Sequence, residues 1–202
     1  MASIQEVRAS NPKTTAGLTD WDVAQRLAEV NGIGKVLRFS GDVWRDHACC
    51  VTVVRGDLVK NNPEAAQVIV DSIAKAQLWL IGNRSSAATY LSNYLPQAVP
   101  AINKALTDYS SSYNGTAIQH PEWKNERIGF QPFPYPSYTT ELVKQLRLTT
   151  VDGDKSWLNK INLKTVHADL VNGKLAENAV TRLGGFVKFG QKKNTRVETI
   201  AP

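Results

Sequence analysis

The distribution of apolar and polar positions along the 202 residues predicts a helix-rich chain with very few strands. Trp21, Ala24, Leu27 and Ala28 fall on one face of a helix over 20–30, and Asn31-Gly32 supplies a left-handed stop. Lys35–Phe39 reads as a short strand ending in the turn Ser40-Gly41. The run Ala48-Cys-Cys-Val-Thr-Val-Val54 is continuously apolar and β-branched, the pattern of a strand covered on both faces. Arg55-Gly-Asp57 turns the chain into a short segment over 58–61. Asn62-Pro63 then has the form of an N-cap with proline at the first helical position, opening a helix to Ile81. Its apolar residues are Ala66, Ile69, Val70, Ile73, Ala74, Ala76, Leu78 and Leu80, and Gly82-Asn83 closes it.

Further helices are predicted from Ser85 or Ser86 to Leu95, and from Val99 to Tyr109. Prolines between 110 and 136 exclude regular ladders there, and this stretch reads as an irregular crossing over the surface. Ser137 is placed to cap a helix to Leu148. Short helices over 163–171 and 175–183 follow, the last stopped by Gly184-Gly185. Two strands among six or seven helices do not complete a sheet, so a pairing partner for 49–54 is expected to lie outside this chain.

Composition sharpens this picture by exclusion. With 42% hydrophobic residues, 13 glycines, 9 prolines and two cysteines, collagen-like, disulfide-scaffold and wholly disordered classes are excluded. No apolar stretch is long enough for a membrane span, and the first residues, with Glu6 and no apolar core, do not form a secretory signal. Half of the net charge of +6 comes from residues 188–202, where Lys188, Lys192, Lys193 and Arg196 face only Glu198. The basic balance therefore reads as a solvated tail over 191–202, and no nucleic-acid motif accompanies it.

The order of segments is more specific than any one of them. Gly34-Lys-Val-Leu-Arg-Phe-Ser-Gly-Asp-Val-Trp-Arg-Asp-His47 is followed by the apolar run, then Arg55-Gly-Asp-Leu-Val-Lys-Asn-Asn-Pro63, then a long helix ending Ala76-Gln-Leu-Trp-Leu-Ile-Gly-Asn-Arg84. This order resembles the substrate-binding proteins of ABC transporters for nitrate, bicarbonate, sulfonates and related oxoanions. Phe133-Pro-Tyr-Pro-Ser-Tyr138, Leu142-Val-Lys-Gln-Leu-Arg147 and Gly184-Gly185 look like the C-terminal part of that family.

The resemblance implies an α/β fold of the type II periplasmic-binding-protein kind, represented by its C-terminal portion. Residues 1–19 would be a disordered lead-in, 20–190 part of a two-lobed substrate-binding domain, and 191–202 the basic tail. It also implies capture of a small oxoanion, nitrate foremost, in a cleft between lobes, and delivery to an ABC permease of the inner membrane. A monomer in the periplasm or cell envelope is expected, without catalysis, cofactor, metal or nucleic-acid partner. The missing leader and first-lobe strands suggest truncation. The rival readings are a solute-sensing regulatory module and a non-functional remnant.

Three residues are candidate ligand contacts. Arg45 occupies the loop from which family members present a charged residue to the cleft, and its planar forked guanidinium matches a trigonal oxoanion. The alternative is an exposed arginine paired with Asp42 or Asp46. Trp44 is either a cleft wall or a core residue. His47 either hydrogen-bonds the ligand or is structural. Family members commonly place proline and glutamate after this histidine, where this chain has Ala48 and Cys49. Cys49 and Cys50, alternating across a strand, read as two small buried hydrophobes. A thiol enzyme built on Cys49 and His47 lacks any recognisable orienting group or oxyanion site. Asp152-Gly-Asp154 lacks the later glutamate of a calcium loop and reads as a surface turn.

Overall fold

The structure, a computed structural model, describes residues 29–34, 40–107 and 129–200. These divide into two compact units. One takes the chain up to Arg45 and from Gly82 to Gly129, and the other takes Asp46–Ile81 and Phe130–Ile200. Among the described residues no β-ladder extends beyond an isolated bridge, so the regular structure there is helical. The predicted helix over 20–30 is seen only at its last turn, where Gly32 adopts φ 67° and its amide donates to the Glu29 carbonyl, as the Asn-Gly stop requires. The predicted strand over 35–39, the lead-in, the last two residues of the predicted helix over 99–109 and residues 110–128 of the irregular crossing lie outside the described residues.

The first unit packs two helices against each other, α3 (Arg84–Leu91) and α4 (Val99–Thr107). Ala87, Ala88, Ala101 and Ala105 let their axes approach closely around the fully buried Ile102. Arg84 Nη1 donates to the Leu106 carbonyl at 3.0 Å, placing a cation against the unsatisfied end of α4. The predicted cap at Ser85 or Ser86 falls two or three residues late, because Asn83 holds the N-cap position without a side-chain bond.

The second unit opens with α1 (Gly56–Asn61) and α2 (Pro63–Gly82), the last residue of which passes into the first unit. Their junction forms as the sequence predicts: Asn62 Oδ1 accepts the Ala65 amide at 3.1 Å, and Pro63 starts α2 where its missing N–H costs nothing. The unit continues with α5 (Pro136–Leu148), α6 (Trp157–Lys160), α7 (Val166–Leu170) and α8 (Gly173–Arg182). At the start of α5 the predicted Ser137 cap is replaced by Pro136 at the first helical position, and the Ser137 hydroxyl instead donates to Glu198. Gly184 and Gly185, at φ 96° and 89°, end α8 in backbone that side chains avoid.

Val143, Leu158, Val166, Ala176, Ala179 and Val180 form most of this unit's core. Arg147 donates to the Leu158 carbonyl through Nε and Nη2 and to the Ile161 carbonyl through Nη2, at 2.8–3.1 Å, so one side chain closes α6 onto α5. Lys155 Nζ in turn takes the Arg147 and Thr149 carbonyls at the end of α5. The aromatic-proline run packs inward, with Phe133 edge-on to Tyr135 and to Phe186, both at 5.2 Å between ring centres.

Two expectations about burial are corrected here. The Ala48–Val54 run is neither a strand nor covered: Cys49 and Cys50 are exposed, and Val51 and Val53 are 71% and 87% accessible. A doubly buried strand needs neighbours on both edges and both faces, and no described strand supplies them. The apolar face of α2 is likewise only partly used. Ala66 and Ala74 are buried, while Ile69, Ile73 and Ala76 stay accessible. The α2–α8 packing centres on Gln67, which is itself buried. Gln67 Nε2 donates to Asp71 Oδ1 and the Leu175 carbonyl, and its Oε1 accepts from Asn178, so each polar atom is satisfied. Arg182 adds an ion pair to Asp71.

Candidate functional site

The candidate residues 44–47 are positioned by the 3₁₀ helix Ser40–Asp42, whose first carbonyl accepts the amides of Val43 at 3.0 Å and Trp44 at 2.9 Å. Trp44 is half-buried and Arg45 is exposed. Asp46 follows at φ 54°, a left-handed conformation that no other described non-glycine residue adopts. Aspartate tolerates it better than most residues, and the boundary between the two units falls between Arg45 and Asp46. Trp44 and Arg45 therefore belong to the first unit and His47 to the second.

His47 is half-buried, and its pKa is lowered, first by burial and then by the positive charge of Arg196. Its imidazole is thus neutral at neutral pH and offers one donor and one acceptor rather than a charge. The next residue is anchored: the Tyr138 hydroxyl donates to the Ala48 carbonyl at 2.7 Å.

A polar cluster from the far end of the sequence stands in the same unit. Arg196 pairs with Glu198 through Nε at 2.7 Å and Nη2 at 3.1 Å, with side chains only 15% and 5% exposed. The guanidinium also lies over the Tyr135 ring, 4.6 Å from its centre. Tyr135 is buried, and its hydroxyl donates to Gln191 Oε1 at 3.0 Å and lies 3.2 Å from the Lys193 carbonyl. Burial raises the pKa values of both Tyr135 and Tyr138, so both phenols stay protonated and keep donating. At Arg196 the reading of a solvated basic tail therefore fails. Composition counts the charge, but only the fold sets a carboxylate and an aromatic face against it. The Arg196-x-Glu198 spacing was the available signal.

Cys49 and Cys50 form no disulfide and are exposed, their sulfurs 3.6 Å apart. Elsewhere, Asp154 accepts the backbone amide and hydroxyl of Ser156, a closed surface turn. Among the described residues no three His, Cys, Asp or Glu side chains gather to hold a metal ion, and no helix is long and apolar enough to cross a membrane.

Residues 23–92 match the NMT1-like family, a stretch that contains Trp44, Arg45 and His47 together with α1, α2 and α3. The match supports the resemblance to substrate-binding proteins of the nitrate, sulfonate and bicarbonate type and to their periplasmic-binding-protein fold. No curated protein and no solved structure matches the chain.

Proposed function

We propose that the chain acts without catalysis as a substrate-binding component of an ABC importer for a small oxoanion, with nitrate the foremost ligand and an inner-membrane permease the partner. The observation that carries this reading is the NMT1-like match over 23–92, because it spans the segment that contains Arg45. Arg45 would supply two parallel charge-assisted hydrogen bonds to a planar anion. Trp44 beside it would furnish an apolar wall. Work in the periplasm accords with the family's usual location.

Calorimetric titration of the chain with nitrate, nitrite, bicarbonate and an alkyl sulfonate tests this, with chloride as the control for unspecific charge attraction. Saturable binding of nitrate over chloride is expected, weakened about tenfold or more in Arg45→Ala, as loss of a hydrogen bond to a charged group implies. Nitrate binding that is indistinguishable from chloride, or unchanged in Arg45→Ala, overturns the reading.

A further inference from the structure

We propose that Cys49 and Cys50 form a vicinal dithiol site that chelates a single thiophilic centre of the trivalent arsenical class. The proposal is independent of the oxoanion reading and uses none of its residues.

Successive side chains of a strand point to opposite faces, which would carry the two sulfurs apart. The segment forms no strand, both residues are exposed, and the sulfurs instead lie on one side at 3.6 Å. That span falls within the about 3.3–3.8 Å that separates two thiolates on one centre when the bonds are about 2.3 Å and the angle between them runs from about 90° at a pyramidal centre to about 109° at a tetrahedral one. It is far beyond a sulfur–sulfur bond. The Cα atoms of adjacent residues, held about 3.8 Å apart by a trans peptide, also lie below the usual disulfide range of about 4.4–6.8 Å.

The donor set selects the ligand. Among the described residues no third His, Cys, Asp or Glu gathers with the pair. Two soft sulfurs suit a thiophilic centre that needs only two bonds from the protein and keeps its own third substituent. The Tyr138 hydrogen bond to the Ala48 carbonyl holds the residue immediately before the pair, lowering the ordering cost of chelation.

With phenylarsine oxide the chemistry is a condensation. Two S–H bonds and the arsenic–oxygen bonds break, two As–S bonds form, and the oxide leaves with both protons as one water. Arsenic stays trivalent throughout, so no oxidant or reductant takes part.

The test uses the full reduced chain, whose only two cysteines are these, so every thiol counted belongs to the site. Intact-mass measurement with phenylarsine oxide should give one arsenical per chain with loss of one water, together with disappearance of both titratable thiols. Excess 2,3-dimercaptopropanol should restore them. Cys49→Ser and Cys50→Ser should each weaken binding about a hundredfold, the loss expected when a second attachment is removed. Both positions are exposed, and unchanged circular dichroism of the variants separates chelation from folding. Failure of the folded chain to take up the arsenical, or single-serine variants that bind within about threefold of the parent, overturns the proposal.

Discussion

The Tyr138 hydroxyl donates a 2.7 Å hydrogen bond to the carbonyl oxygen of Ala48, tying α5 to the segment that bears His47, Cys49 and Cys50. The two residues are ninety positions apart, and the bond fixes an otherwise irregular run at its start. Tyr138→Phe keeps the ring and removes the donor, leaving a half-buried carbonyl unpaired. A loss of about 1 kcal/mol is expected by denaturant unfolding. Amide exchange over 47–55 should accelerate more than exchange in α8.

The Arg196–Glu198 pair is largely withdrawn from solvent and stacked on Tyr135. Arg196→Ala removes the cation paired with the Glu198 carboxylate and is expected to cost about 3 kcal/mol. Arg196→Lys should recover only part of that loss, because an ammonium reproduces neither the fork nor the flat stacking surface. Chemical denaturation of the three proteins at one pH measures both values, and equal stabilities would remove the pair from the account of this unit.

Acid sensitivity follows from two histidines. His47 is lowered by burial and then by Arg196, and His167, whose Nδ1 lies 2.9 Å from the Thr139 hydroxyl, is lowered by burial. Both therefore bind a proton more readily in the unfolded chain than in the folded one. Stability is unaffected by them well above the unfolded value of 6.5 and falls as pH drops below it toward the lowered folded values. Glu141, lowered first by its hydrogen bond from Gln145, adds a further loss only near and below its ordinary value of 4.5. His47→Gln should flatten the first decline, measured as unfolding midpoint against pH from 7.5 to 5. An unchanged slope would exclude His47 as its source.

Arg147 serves two carbonyls at the end of α6 and holds α6 against α5. Arg147→Met preserves much of the stem and deletes the donors, and a destabilisation of about 2 kcal/mol is expected from two carbonyls left unpaired. Thermal unfolding checks the magnitude. Limited proteolysis should show cleavage in 149–162 ahead of other described loops.

Local signals in the sequence were sufficient wherever the backbone itself made the decision. Asn62-Pro63 determined the start of α2, Asn31-Gly32 the end of the preceding helix, and Gly184-Gly185 the end of α8, because caps, a missing N–H and positive φ act over a few residues. The segment order around Arg45 also pointed to a resemblance to substrate-binding proteins that the NMT1-like match over 23–92 supports. Tertiary structure decided the rest. A β-branched run such as 48–54 has a strand's pattern, but becomes one only when neighbouring strands take its hydrogen bonds. Its exposure, and with it the paired thiols, followed from partners absent among the described residues. Arg196 read as one more charge in a basic tail until the fold set Glu198 and Tyr135 against it. Propensity and capping are written in adjacent residues, whereas burial and charge pairing depend on which distant residues the fold brings together.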